Sequence, residues 1–195
     1  MKRTAIYHSH RALGARMTSV SDWELPDEFS SAQDEAAQVR SAAGLADVSH
    51  LAKLDWKGND GFPTSQGTVW PLARGHALVT RDPALKSTEC GHVTDVTSAY
   101  SALLLAGPFG RDILRKLTSL NVSSEALPDL AAAQASVAHV HTIVLRRDVA
   151  SLPAFLLLTE RPFGEYFWDA VLHAGHEFGI VPFGLKAQAL LGVEI

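Results

Sequence analysis

The sequence predicts an α+β fold, with antiparallel and mixed sheets, flanking helices and two related halves. Three observations predict it. Strand-like and helix-like segments mix without strict βα alternation, which points away from a doubly wound parallel sheet. Between Arg40 and Gly58 a turn signal at Gly44 and the polar run Asp47-Val48-Ser49-His50 lead into a strand. In it Leu51, Lys53 and Asp55 alternate with Ala52, Leu54 and Trp56, the period of one buried and one wet face. The pattern returns as Asp95-Val96-Thr97-Ser98, an apolar run from Ser101 to Ala106, and Gly107. A single echo implies two related sheet halves, since a solenoid needs more repeats.

The elements follow in order. Ala5 to Met17 reads as a short helix or extended arm ending near Gly14. Ser19 to Asp27 reads as an acidic loop, with Trp23 and Leu25 as apolar anchors and Pro26 as a breaker. Ser30 to Ala43 is a helix: Ser31 caps it, Asp34 and Glu35 suit the positive end of its dipole, Arg40 suits the other end, and Gly44 stops it. Asn59-Asp60-Gly61-Phe62-Pro63 is turn chemistry, Val69 to Thr80 a hairpin about Gly75, and Arg81 to Gly91 a loop. Phe109 to Leu117 forms a helix with Ile113, Leu114 and Leu117 on one face. Val137 to Leu145 and Ala154 to Leu158 are strands. Glu165 to Phe178 is a helix with Tyr166, Trp168, Val171, Leu172 and Phe178 as its buried stripe, Gly179 as its cap, and Pro182-Phe183-Gly184 leading into a last helical turn.

The chain has 195 residues, 47% of them hydrophobic and 19% charged, enough for one domain over residues 1–195 that buries roughly 70% of its unfolded surface. No Pro/Gly/Ser-rich linker divides it. A net charge of -4 argues against a nucleic-acid partner, because phosphate binding needs a basic footprint. The lone Cys90 has no disulfide companion and fits a reducing compartment. The N-terminus has basic residues but no apolar core behind them, and no apolar run reaches membrane-spanning length. The expectation is a cytoplasmic protein without membrane or nucleic-acid partners.

The histidines carry no metal prediction. His8 and His10 read as a solvated pair near a terminus, His139 and His141 as the less buried face of a strand, and His173 and His176 as a solvated helix face. The last pair lacks the i, i+4 spacing of a zinc-binding His-Glu-x-x-His. Gly-x-Ser-x-Gly and the phosphate-binding glycine loops are absent. No complete catalytic constellation emerges from residue chemistry.

A resemblance adds to this. Thr4 to Met17 (T-A-I-Y-H-S-H-R-A-L-G-A-R-M), Asp22 to Pro26 (D-W-E-L-P) and Val39 to Leu54 (V-R-S-A-A-G-L-A-D-V-S-H-L-A-K-L) are similar in order to the start of the glycine-cleavage T-protein family. Those are folate-dependent aminomethyltransferases. Trp168 to Ala187 resembles the helix and turn that end their folate-binding portion. The middle, Val93 to Leu117 followed by Ser119 to Val122, is most similar to the small gamma subunit of heterotetrameric sarcosine oxidase, a member of the same superfamily. The resemblance implies a T-protein-type folate-binding fold.

Departures from the pattern shape the functional expectation. The family's catalytic aspartate sits in a Thr-Asn-Asp segment; here Thr118-Ser119-Leu120-Asn121 has none. The folate-gripping glutamates would fall near Arg147 to Phe155 and are missing. The closing arginines are gone, while Glu194 remains. Losing carboxylates and arginines together weakens a folate site, whose tail and pterin need charged partners. The expected function is a non-catalytic gamma-type subunit of a sarcosine-oxidase-like complex, supporting oxidative demethylation of a small N-methyl amine in one-carbon metabolism. Its partners would be larger flavoprotein subunits, with FAD or FMN on those partners only. The alternatives are a stand-alone tetrahydrofolate-dependent aminomethyl- or methyltransferase and a folate-binding regulator. No catalytic residue and no metal ligand is assigned. The candidate remnant folate pocket is His50, Leu51, Asn121 and Glu194. An apolar docking patch for the partner is expected at the Trp23–Leu25 loop.

Overall fold

The computed structural model describes residues 1–58, 67–81 and 92–193. The predicted turn at Asn59 to Pro63, the Arg81–Gly91 loop beyond Arg81 (with Cys90), and Glu194 lie outside the described residues.

The N-terminal segment forms β1 (Lys2–Arg3), α1 (Tyr7–Ala12), β2 (Arg16–Val20) and β3 (Trp23–Glu28). β3 lies between β1 and β2 in a small sheet. The predicted acidic loop is therefore a hairpin. Its turn residues Ser21 and Asp22 both have positive φ, 46° and 66°, the geometry that matches strand twist in a tight hairpin. Pro26 sits inside β3, beyond the stretch that β1 pairs, so its missing N–H breaks no ladder on that side. Trp23 and Leu25 are 3% and 0% exposed, which removes them as an exposed docking patch. Both turn inward because alternate positions of this strand face the rest of the chain.

α2 (Ala32–Ser41) begins as predicted: the Ser31 hydroxyl accepts the Asp34 N–H at 3.1 Å. Gly44 does not stop it. The glycine lies inside β4 (Ala43–Asp47), where an added Cβ would press on Val39 and come within 2.7 Å of the Phe183 ring. Its role is close approach between strand and neighbours rather than a left-handed cap.

β5 (Ala52–Lys57), β6 (Thr68–Ala73), β7 (His76–Arg81) and β8 (His92–Asp95) make an antiparallel four-stranded sheet in the order β6-β7-β5-β8. The hairpin about Gly75, φ 70°, is as predicted. After β8 a short 3₁₀ turn leads to β9 (Tyr100–Ala106) and α3 (Gly110–Leu117), with Ile113 and Leu114 fully buried.

β10 (Ala132–Val137), β11 (Val140–Arg146), β12 (Ala154–Glu160), α4 (Gly164–Gly175), β13 (Ile180–Pro182) and α5 (Leu185–Leu191) complete the chain. The predicted strand Val137 to Leu145 is broken by a two-residue turn. Ala138 and His139 adopt positive φ, 48° and 64°, so His139 sits in the turn and only His141 on the strand. α4 buries Phe167, Trp168, Val171 and Ala174, whereas Tyr166 is 51% exposed. The buried stripe runs through Phe167 rather than Tyr166, and the helix starts one residue earlier than predicted, at Gly164, packed closely against Ser101 and Ala5.

The central sheet runs β10-β11-β12-β9-β4-β13, antiparallel except for the parallel β13–β4 pair. One face packs on α3 and α4 through Leu103, Leu105, Phe155, Phe167 and Trp168. The other packs on α2, α5 and the four-stranded sheet through Leu104, Leu156, Val39 and Trp70. No helix among the described residues is long and apolar enough to cross a membrane.

Candidate functional site

The two Asp-Val-Ser/Thr segments meet in space. Asp47 Oδ1 accepts the Ser49 N–H at 3.0 Å, and Asp95 Oδ1 accepts the Thr97 N–H at 2.8 Å. The two carboxylates thus fold the same local turn. Each segment then bonds the strand that follows the other. Val48 N–H donates to Ala102 O, and Val96 N–H donates to Lys53 O, both at 2.9 Å.

Behind this crossing lies a buried polar cluster. His10 Nε2 and Asp47 Oδ2 are 2.9 Å apart, with both side chains fully buried. The His10 ring stands edge-on to Trp168 at 4.8 Å and to Phe29 at 5.8 Å. Burial alone would raise the Asp47 pKa; the hydrogen bonds and charge from His10, with the bonds from Ser49, outweigh it and hold the carboxyl below its usual range. His10 is therefore not the solvated residue its position near the terminus predicted: α1 turns it inward onto β4.

Lys53 is the second departure. Its position on the predicted wet face is 0% exposed, and the 3₁₀ turn before β9 packs against its strand. Its Nζ donates to Leu51 O at 2.7 Å and Ser49 O at 3.0 Å. Burial lowers its pKa to about 8, against the opposing pull of Asp47 and Asp95. An ammonium with only carbonyl acceptors ties the Ser49–Leu51 turn to β5.

In front of the crossing a pocket of about 380 Å³ opens between the N-terminal sheet and the four-stranded sheet. Lys2, Trp23, His50, Arg81, Asp95 and Thr97 line it. Burial acts to raise the Asp95 pKa, but the Thr97 hydrogen bonds, then Lys2 and Lys53, lower it below the ordinary value. Asp95 is thus an ionised acceptor at neutral pH and no proton donor. The pocket presents cations, hydroxyls and one occupied carboxylate, a set suited to holding a polar ligand rather than moving a proton.

Of the predicted site residues, His50 lines this pocket, and the neighbouring Leu51 is 7% exposed in the core beneath. Asn121 stands on an exposed loop after α3, where its Oδ1 accepts the Ser123 N–H at 3.1 Å; it lines no part of the pocket. Glu194 lies outside the described residues. Sequence reasoning missed His10, whose partner is 37 residues away. It also missed Lys53, although apolar Leu51, Ala52 and Leu54 around it were a signal of burial.

Comparisons with known proteins fit this architecture. A family profile described as the GCVT N-terminal domain matches residues 6–69 and 75–195. The chain is 28% identical over 235 residues to an aminomethyltransferase of Moorella thermoacetica, covering 100% of this chain and 64% of that protein. It is 27% identical over 238 residues to one of Bacillus pumilus, again spanning 100% and 64%. The chain therefore spans just under two-thirds of the length of these curated relatives. Among solved structures, the glycine cleavage system aminomethyltransferase T from Bartonella henselae superposes with a TM-score of 0.75 at 16% identity, over 98% of this chain and 62% of that one. Heterotetrameric sarcosine oxidase from Corynebacterium sp. U-96, in complex with pyrrole 2-carboxylate, superposes with a TM-score of 0.64 at 18% identity. That match spans 91% of this chain and 96% of the matched chain.

Proposed function

Since this chain belongs to the GCVT N-terminal domain family, we propose that it works as a non-catalytic, gamma-type subunit of a sarcosine-oxidase-like complex. In that role it supports oxidative demethylation of a small N-methyl amine by larger flavoprotein chains, which carry the FAD or FMN. One observation carries the reading. Where the family resemblance expects a catalytic aspartate the chain has Asn121, exposed and engaged in capping its own loop. An amide does not titrate, so proton transfer has no agent there. The near-complete overlap with one chain of a heterotetrameric oxidase supports the same reading.

The test is mild affinity purification of the tagged protein from its native host, with mass spectrometry and a visible spectrum of the eluate. Larger flavin-absorbing chains in stoichiometric amount are the expected result. A lone, colourless protein overturns it.

A second reading rests on the His50 pocket and on the aminomethyltransferase names of the curated relatives. In it the chain binds tetrahydrofolate, as a transferase or as a regulator, in the pocket that His50 lines, without Asn121, which lies elsewhere. Calorimetric titration with tetrahydrofolate separates the two: saturable binding by the isolated chain, lost in His50→Ala, favours the second reading.

A further inference from the structure

A second cavity lies away from the His50 pocket, between the four-stranded sheet and the central sheet. It follows from how these sheets pack. Along one face of β5, burial falls from Lys53, fully enclosed, through Asp55, half-buried, to Lys57, exposed. Along β7 it falls from Thr80 through Leu78 to His76. The sheets are closed at the Lys53–Thr80 end, where the Trp70 indole N–H donates to the Thr80 hydroxyl at 2.8 Å, and open at the other. The opening holds a slot of about 290 Å³. Leu72 and Leu78 wall it on the four-stranded sheet and Ile143 on the central sheet.

The polar groups of the slot divide into two sets. Asp55 is already compensated: its carboxylate meets His76 Nε2 at 2.5 Å and Lys57 Nζ at 3.4 Å. Tyr100, Gln134 and His141 also line the slot, and among the described residues their side chains make no hydrogen bond. Burial, then the charges of Asp55 and Glu160, raise the Tyr100 pKa, so its hydroxyl remains a donor. Gln134 offers an amide donor and acceptor side by side. Small-molecule sites have this make-up, apolar walls with a few convergent polar groups.

We infer that this inter-sheet slot binds a small, neutral, flat heterocycle whose edge carries an amide-like N–H and C=O. The facing aliphatic walls take a flat body. The compensated Asp55 leaves no charge to balance an ionic ligand. Gln134 pairs the donor–acceptor edge reciprocally, and Tyr100 and His141 complete it. The inference is independent of the subunit reading, because it uses neither the His50 pocket nor a partner chain.

Uracil is the probe, titrated into the isotope-labelled full chain and followed by methyl and amide NMR. Saturable shifts are expected at the Leu72, Leu78 and Ile143 methyls and at the Gln134 side-chain amide. Tyr100→Phe should weaken binding about fivefold, the effect of one lost hydrogen bond in such a site, and Gln134→Leu by more, since it removes two. Both positions are at least partly exposed, and an unchanged thermal midpoint will show that the variants fold. Toluene, flat but without the edge, should bind more weakly than uracil. Three results would overturn the inference: no saturable shift with uracil, affinity unchanged in both variants, or toluene binding as tightly as uracil.

Discussion

Ser49 and Thr97 perform the same task for each other's strand. The Ser49 hydroxyl accepts the Ala102 N–H at 3.0 Å, and the Thr97 hydroxyl accepts the Lys53 N–H at 3.0 Å. Each hydroxyl belongs to one copy of the repeated segment and serves the strand that follows the other copy. Removing either hydroxyl leaves a buried amide without an acceptor. Ser49→Ala and Thr97→Val should each cost about 1–3 kcal/mol, measured by urea unfolding. Amide hydrogen exchange should accelerate at Ala102 in the first variant and at Lys53 in the second. Equal exchange at both amides in both variants would contradict the reciprocity.

His10 and Asp47 form a fully buried pair, so removing one partner strands the other. His10→Leu should destabilise the fold by about 3–5 kcal/mol, since it leaves an uncompensated carboxylate. The Asp47 pKa is held below its ordinary 3.8, so its stabilisation is complete above that value and is lost as pH falls through the folded one. The stability gap between the wild type and Asp47→Asn should be constant near neutrality and shrink in acid below pH 3.8. A gap that widens in acid would refute the assignment.

Lys53 predicts a slope of the same sign in the alkaline range, from the relief of a penalty rather than the gain of a stabilising charge. Its folded pKa of about 8 lies below the ordinary 10.5. Between those values the unfolded chain keeps a proton that the folded chain has released, so stability rises with pH there and levels off above. Below the folded value both states are charged, and the whole penalty, on the order of 3 kcal/mol, is in force. Denaturant midpoints measured across this range should climb in the wild type relative to Lys53→Met. Parallel curves for the two proteins would rule this out.

Glu35 is 2% exposed, and its carboxylate accepts three backbone N–H groups: Phe29 at 2.6 Å, Ser30 at 2.8 Å and Gly184 at 2.8 Å. Bonds to a charged acceptor exceed neutral ones. Glu35→Gln turns one acceptor atom into a donor facing an N–H, and should cost about 2–4 kcal/mol. Thermal unfolding checks this; a shift within error would mean that the three amides find other acceptors.

The fold class and most elements were legible because their signals are local. Ser31 caps α2 through its own sequence neighbours, Gly75 turns its hairpin by backbone freedom, and the Asp47 and Asp95 turns need only residues two positions on. What was illegible depends on distant chain. Lys53 alternates as a solvent-facing residue would, and the Val96–Thr97 stretch that packs on its strand comes more than 40 residues later. His10 looks solvated until β4, 37 residues on, brings Asp47 beneath it. The Ala138–His139 turn was hidden for another reason: Ala138 lacks the usual chemistry for positive φ, and the apolar run continues on both sides. In the candidate pocket, His50 was reachable from the repeated motif. Lys2 and Arg81 were not, since separate sheets bring them to it.

The parallel pairing of β13 with β4 bears on how the protein is made. β4 lies between β9 and β13 in the central sheet, and Glu35 reaches across 149 residues to Gly184. A ribosome therefore releases the early part of the chain long before the strand that covers one edge of β4 exists. Until then that edge offers unpaired backbone to any extended peptide nearby. Such distant pairings make folding slow, and a nascent chain halted before Ile180 would be a substrate for chaperones and proteases.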